Sequence, residues 1–257
     1  MPITGTHIIT GAASGIGAAT ARLLAAQGAD VISVDLNKPA EPVGRFIQAD
    51  LSDRASIDRL VDALPAGACG LANIAGVPPT RPAPQVLKVN LVGLKYLTMR
   101  LVPKLADGAA IVNLASLAGI GWPQAIGAIR ACEGLDFGGV DAFCAQHGIE
   151  GARSYFFSKE ALIAWTLQNR WTWRARGIRM NAVSPGPVDT PILGDFIQTL
   201  GARAEEDMRV MDRPGRPSDI APVVAFLLSD AAAWIRGANI PADGGMHAKV
   251  LCDMNGL

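Results

Sequence analysis

The chain has 257 residues, half of them apolar and 18% charged, enough to bury one large core in a single domain spanning 1–257. Basic and acidic side chains balance at 23 each, which argues against a net field that would draw in nucleic acid or an anionic membrane. No basic segment and long apolar run precede Thr6-His-Ile-Ile-Thr10, and later apolar stretches are broken before ~18 residues; the expectation is a soluble cytoplasmic protein without signal peptide or membrane span.

Short β-branched runs alternate with longer Ala/Leu-rich segments. Residues 7–10 read as a strand and 16–27 as a helix with Ile16, Ala19, Leu23 and Leu24 on one face, stopped by Gly28. Strands follow at 31–35 and 45–49, too close together for a full helix between them. A helix over 56–64 leads to a strand at 70–74, a long helix over 90–105 to a strand at 109–114, and a helix over 154–176 to a strand at 179–183. The last pair is a helix over 219–228 and a strand at 238–241. This alternation predicts an α/β fold: a single-domain, doubly wound parallel sheet of Rossmann type with helices on both faces. The scattered Cys69, Cys132, Cys144 and Cys252 form no CxxC pair, so they read as free thiols, and no metal site is expected.

Two segments depart from the alternation. The glycine-rich stretch 117–153 is too long for a plain connection and should hold short helices of its own, at 123–132 and 140–147. The stretch 185–217 is rich in Pro, Gly and apolar residues. Both follow strands, so both lie at the carboxyl edge of the sheet, where open α/β folds bind ligands. They are candidate substrate walls, the second as a loop over 187–217.

Thr10-Gly11-Ala12-Ala13-Ser14-Gly15-Ile16-Gly17 joins the first strand to the first helix. Glycines there let the backbone turn tightly and bring N–H groups against a pyrophosphate, and the helix N-terminus adds a favourable dipole. Asp35 ends the second strand, where a carboxylate can accept from the ribose hydroxyls of an adenosine and repel a 2′-phosphate. That favours NAD; the nearby Lys38 keeps NADP as the alternative. Asp50-Leu51 and Asn73-Ile74-Ala75-Gly76 reach the same edge, where adenine and ribose would lie.

Tyr155 and Lys159 stand four apart at the start of a predicted helix and so share a face. An adjacent ammonium should favour the phenolate, letting Tyr155 take or return the proton of an alcohol. Ser116, just past the fifth strand, is placed to hydrogen-bond the same oxygen and hold it in line.

With these residues in view, the chain resembles the short-chain dehydrogenase/reductase family over essentially its whole length. The resemblance rests on Gly11, Gly15 and Gly17, on Asn73-Ile-Ala-Gly76, Val89-Asn90 and Ile111-Val-Asn-Leu-Ala-Ser116, and on Tyr155-x3-Lys159, Pro185-Gly186 and Asp243-Gly-Gly245. Ile74 stands where the family usually has a second Asn. The resemblance implies a Ser116–Tyr155–Lys159 centre, with Asn90 at a helix kink holding a water in a proton relay to Lys159. It further implies that Lys159 bonds the nicotinamide ribose and that Val188 and Thr190 hold the carboxamide. Ser116 and Tyr155 are 39 residues apart, far more than is usual in the family. With the curtailed link between the second and third strands, this resembles the branch containing bacterial 3α-hydroxysteroid dehydrogenase/carbonyl reductase and coniferyl-alcohol dehydrogenase.

The expected activity is NAD-dependent, reversible oxidation of a secondary or benzylic/allylic alcohol to its ketone or aldehyde. A largely apolar pocket is expected from Leu117, Ile120, Trp122, Ile192, Leu193, Phe196 and Met208, for a steroid, an aromatic alcohol or a terpenoid. An NADP-dependent carbonyl reductase is the nearer alternative. A nucleotide-binding regulator that has lost the chemistry is the more distant one, and the intact Ser116, Tyr155 and Lys159 weigh against it. The insertion at 117–153 should cover the helices that usually pair in this family, so a homodimer through 219–241 is expected in preference to a tetramer.

Overall fold

The structure, a computed structural model, describes residues 3–201 and 209–257. Among them, seven strands form one parallel sheet in the order β3-β2-β1-β4-β5-β6-β7. The strands are β1 (Thr6–Thr10), β2 (Asp30–Asp35), β3 (Arg45–Gln48), β4 (Ala68–Asn73), β5 (Leu105–Leu114), β6 (Arg179–Pro185) and β7 (Asn239–Ala242). Successive strand residues turn to opposite faces, and the core divides accordingly. Ile9, Val31, Ala72, Val112 and Val183 pack against α1 (Gly15–Ala26) and the later helix Pro217–Leu228. Ile8, Ile32, Leu71, Ile111 and Met180 pack against α2 (Arg54–Ala63) and the helical run Ala83–Lys104. Each fully buried Leu, Ile or Val adds ~1.5–3 kcal/mol. The doubly wound sheet is therefore as the sequence predicts, and its winding reverses between β1 and β4, which opens a crevice at their carboxyl ends.

The expected helix over 90–105 is differently built. It begins earlier, as α3 (Ala83–Leu87), passes through a wide turn of π-helix at Lys88–Gly93, and continues as α4 (Leu94–Leu101) before one tight turn, Val102–Lys104. Asn90 causes the break. Its side-chain oxygen accepts from the Val77 N–H at 2.8 Å and its nitrogen donates to the Val77 carbonyl at 3.0 Å. Gly93 lets the widened turn press on the preceding loop: a Cβ there would lie 1.9 Å from the Leu51 carbonyl oxygen. Kinks of this kind have such local causes.

The insertion folds into α5 (Ile126–Ala131) and α6 (Val140–His147), and α7 (Gly151–Gln168) follows. Leu91, Leu94, Phe157, Ala161 and Ala164 meet Ile129, Val140, Phe143 and Ile149 of the insertion in a third core. α7 is consequently buried nearly all round, with eleven of its eighteen residues inaccessible. It ends before the expected 176, unwinding at Asn169 into two tight turns. Beyond β6 come α8 (Leu193–Leu200), α9 (Pro217–Leu228) and, after β7, α10 (Met246–Asn255).

Candidate active site

Tyr155 and Lys159 sit one turn apart on α7, on the side facing the end of β5. Both are buried, at 8% and 4% exposure. The Lys159 ammonium donates to the Leu114 carbonyl at 2.7 Å and lies 5.5 Å from the centre of the Tyr155 ring. Ser116 follows β5 in extended backbone; its oxygen accepts from the Ala118 N–H at 3.2 Å, and it lies close enough to the Tyr155 hydroxyl to favour its charged form. The three residues expected to form the centre are thus brought together, across a sequence gap filled by the insertion.

Their electrostatics depart from the expectation of a phenolate. Burial pushes the Tyr155 phenol up to about 12, against the smaller opposing pull of Ser116. Burial also brings Lys159 down to about 8. Desolvation disfavours either charged form, and here it outweighs the attraction between them. In the protein alone Tyr155 is a neutral hydroxyl, a proton donor held by Ser116; taking a proton from an alcohol requires further positive charge beside it.

A cavity of about 350 Å³ opens in front of these groups, lined by Ser116, Tyr155 and Lys159 and by Ile16, Ile74, Gly76, Pro185–Val188 and Thr190. Leu117, Ile120, Ile192, Leu193 and Phe196 line it as predicted, and the Phe196 ring meets Tyr155 edge-on at 4.7 Å. Trp122 does not: it packs behind the wall, beside a 60 Å³ cavity. Met208 lies outside the described residues. Sequence reasoning missed Met246 and Val250, which α10 brings to the cavity. Their i, i+4 spacing after Asp243-Gly-Gly245 was the available signal. Asp243 starts that helix by accepting from the N–H groups of Gly245 and His247, at 3.0 and 2.8 Å. Of the loop expected over 187–217, the stretch 187–197 forms the opposite wall. Its base is closed by the Gly215 N–H to Pro187 and the Asp189 N–H to Gly215, and Thr80 donates to Asp195 of α8 at 2.6 Å.

At the crevice between β1 and β4, the glycines are required by contact as much as by conformation. A Cβ on Gly11 would lie 2.7 Å from the Ala75 nitrogen, and one on Gly17 would lie 2.0 Å from the Gly11 carbonyl oxygen. Gly15 adopts φ +52° and packs against the Thr190 methyl, so the loop after β6 meets the glycine loop directly. Ser14 begins α1 without any side chain capping its N–H groups, which leaves them for an anion. Asp35 accepts from the Ala13 and Asn37 N–H groups, each at 3.0 Å, fixing the glycine loop to the end of β2. A glycine cradle, open helix N-terminus and adjoining carboxylate fit a dinucleotide. When bound, its nicotinamide supplies the acceptor or donor of hydride.

The remaining predicted residues take quieter places. Asp50 accepts from both the N–H and hydroxyl of Ser52, each at 2.7 Å. Leu51 is buried in the core. The Asn73 side chain points into the sheet, donating to Thr98 and Asn113 at 2.9 Å each, and Asn113 donates on to Thr166. This buried chain ties β4 and β5 to α4 and α7 beneath the site. Ala75 is held from β1 instead: the Thr10 hydroxyl accepts from the N–H groups of Ile74 and Ala75, at 2.9 and 3.1 Å. Thr10 was read only as a strand end. Asn90 reaches the centre at Gly76, where a Cβ would touch its side-chain oxygen at 3.3 Å and the Lys159 ammonium at 3.9 Å. Both polar atoms of the Asn90 amide are already used by Val77.

Among the described residues, no cluster of three or more His, Cys, Asp or Glu could hold a metal, and no helix is long and apolar enough to cross a membrane.

Comparison with known proteins agrees with this geometry. Residues 6–127 match the family model for short chain dehydrogenase, and residues 139–247 match the model for enoyl-(acyl carrier protein) reductase. Coniferyl-alcohol dehydrogenase from Pseudomonas sp. (strain HR199) is 40% identical over 93% of this chain and 95% of its own length. The 3-alpha-hydroxysteroid dehydrogenase/carbonyl reductase of Comamonas testosteroni is 31% identical, over 94% of this chain and 96% of its own. The crystal structure of 3-alpha-hydroxysteroid dehydrogenase from Pseudomonas sp. B-0831, complexed with NADH, superposes with TM-score 0.82 at 30% identity, covering 96% of this chain and 98% of that one. The chain belongs to the short-chain dehydrogenase/reductase family and is an oxidoreductase that acts on alcohols.

Proposed function

We propose that this oxidoreductase is NAD-dependent and interconverts a secondary or benzylic/allylic alcohol with its ketone or aldehyde. The observation that carries the reading is the convergence of Ser116, Tyr155 and Lys159 on one wall of an otherwise largely apolar cavity of about 350 Å³. Tyr155 delivers or takes the alcohol proton, Ser116 holds the oxygen in line, and the buried Lys159 supplies positive charge beside the phenol. Gly11, Ser14, Gly15, Ile16 and Gly17 would hold the pyrophosphate. Asp35, Asp50, Leu51, Asn73, Ala75 and Gly76 lie toward the adenosine, and Val188 and Thr190 toward the carboxamide.

Asp35 supports NAD over NADP, because a carboxylate fixed beside the glycine loop repels a 2′-phosphate. The NADH-bound structural neighbour points the same way. The cavity volume suits a ring or two, and the relatives' named substrates, a phenylpropenyl alcohol and a steroid, set the range to try. The test is a screen of aromatic, alicyclic and steroid alcohols with each cofactor, followed by absorbance of the reduced nicotinamide. Turnover with NAD is expected to exceed that with NADP at least tenfold. Equal use of both would overturn the role given to Asp35, and no turnover of any alcohol or ketone would overturn the activity.

The assembly proposed is a homodimer through residues 219–241. The insertion packs its own core on α7 and on the helical run that leads into α4, while α9 and the segment before β7 expose Phe226 and Trp234.

A further inference from the structure

One charged group on the cavity wall has no part in the chemistry above. Glu160 follows Lys159 on α7, lines the cavity, and is only 5% exposed. Arg153, at the start of the same helix, grips it with two parallel bonds, Nη1 to Oε1 at 2.8 Å and Nη2 to Oε2 at 2.7 Å. Arg153 in turn lies over the Phe157 ring at 5.6 Å. Gly121 of the insertion, also on the wall, packs so closely that a Cβ there would lie 3.0 Å from Glu160 Oε1. The carboxylate is therefore pinned between α7 and the insertion, at the border of an apolar space.

The Glu160 side chain is buried but that of Arg153 is 41% exposed, and an ion pair open to solvent on one side adds little stability. A carboxylate accepts at about four positions and the guanidinium occupies two, so each oxygen retains acceptor capacity. An acceptor fixed in a dry pocket discriminates strongly between a ligand that donates to it and one that does not.

We propose that Glu160 is a specificity-determining residue that accepts a hydrogen bond from a second hydroxyl on the substrate, remote from the oxidised carbinol. The preferred substrate class is then a hydroxylated ring alcohol, a phenol-bearing allylic alcohol or an alicyclic diol, rather than the plain hydrocarbon alcohol. This rests on the alcohol oxidation proposed above. Arg153 is the positioning residue: its two bonds aim the carboxylate.

The experiment compares matched alcohols with and without the second hydroxyl: 4-hydroxycinnamyl against cinnamyl alcohol, and 1,4-cyclohexanediol against cyclohexanol. Wild type, Glu160→Gln and Glu160→Leu are measured, with circular dichroism melts to confirm folding. A hydrogen bond to a charged group is worth roughly ten- to hundredfold in such a ratio. In wild type the hydroxylated member of at least one pair should have the higher kcat/KM. In Glu160→Leu that ratio should fall ten- to hundredfold, mainly through KM, and in Glu160→Gln by less. A ratio that neither variant moves overturns the proposal while leaving the alcohol dehydrogenase reading intact. Wild type that turns over none of the four alcohols, nor any in the wider screen, overturns both.

Discussion

The Lys159 ammonium is bonded to the Leu114 carbonyl at 2.7 Å, so a helix residue and the end of strand β5 are fixed to each other by the site's own cation. That bond sets the ammonium 5.5 Å from the Tyr155 ring while both side chains are shut away from water. The protein thus holds a charge where the chemistry needs it and where burial opposes it.

Lys159→Met should separate those two effects. Burial lowers Lys159 from 10.5 to about 8, so between those pH values the unfolded chain binds a proton that the folded chain has released. Stability therefore rises with pH across that window, and the cost of the buried ammonium is felt in full below about pH 8. Removing the charge should stabilise the protein at pH 7 by on the order of 3 kcal/mol, less about 1 kcal/mol for the lost bond to Leu114. The advantage should disappear as pH approaches 10.5. Melting temperatures of both proteins across that range would show it, alongside a large fall in kcat. A variant less stable at pH 7 would mean that the bond outweighs the burial.

Tyr155→Phe keeps the ring that meets Phe196 edge-on at 4.7 Å and removes only the hydroxyl. Loss of the proton donor should lower kcat ~10²–10⁴-fold with the melting temperature nearly unchanged. Ser116→Ala, which leaves the acid in place but unaligned, should lose less. Because burial holds the phenol near 12, wild-type ketone reduction should stay level from neutral pH upward to about pH 8 while alcohol oxidation climbs. Steady-state rates in both directions test all three statements.

The contrast between these side chains and their surroundings also marks what could be read from sequence. The sheet was legible because Ile8-Ile9, Leu71-Ala72 and Ile111-Val112 each place one residue on either face. The site was legible because its groups cluster at strand ends. The raised phenol of Tyr155 was not, since desolvation depends on residues brought over it from elsewhere in the chain, such as Phe196. The kink at Asn90 was legible only through the family resemblance; its cause, a bond to Val77 thirteen residues away, was not. Glu160 stayed hidden for the same reason: on a helix diagram it is an ordinary polar position, and only the insertion packed on α7 buries it.

Gly17→Ala tests the cofactor cradle. The new Cβ would fall 2.0 Å from the Gly11 carbonyl oxygen, a clash with backbone that must push the glycine loop away from the N-terminus of α1. Overpacking of this kind costs ~1–3 kcal/mol, and the displaced N–H groups should weaken NADH binding at least tenfold. Fluorescence titration with NADH reads the affinity, and a melt reads the stability. Undiminished affinity would remove the loop from the nucleotide site.

Trp234→Glu tests the dimer. Trp234 is 97% exposed and Phe226 on α9 is 42% exposed, large apolar surface of the kind that marks contact sites. Trp234 lies in the segment between α9 and β7, and β7 is the last strand of the sheet and offers its free edge. The insertion helices α5 and α6 pack on α7 and on the helical run that leads into α4. A charge at the centre of the exposed side should leave each subunit folded, since Trp234 packs on almost nothing within its own chain. It should, however, carry an unpaired carboxylate into any interface there, at a cost of several kcal/mol. Light scattering should therefore give a dimer mass for the wild type and a monomer mass for the variant at micromolar concentration. A tetramer mass for the wild type, or a dimer that survives the substitution, would place the interface elsewhere.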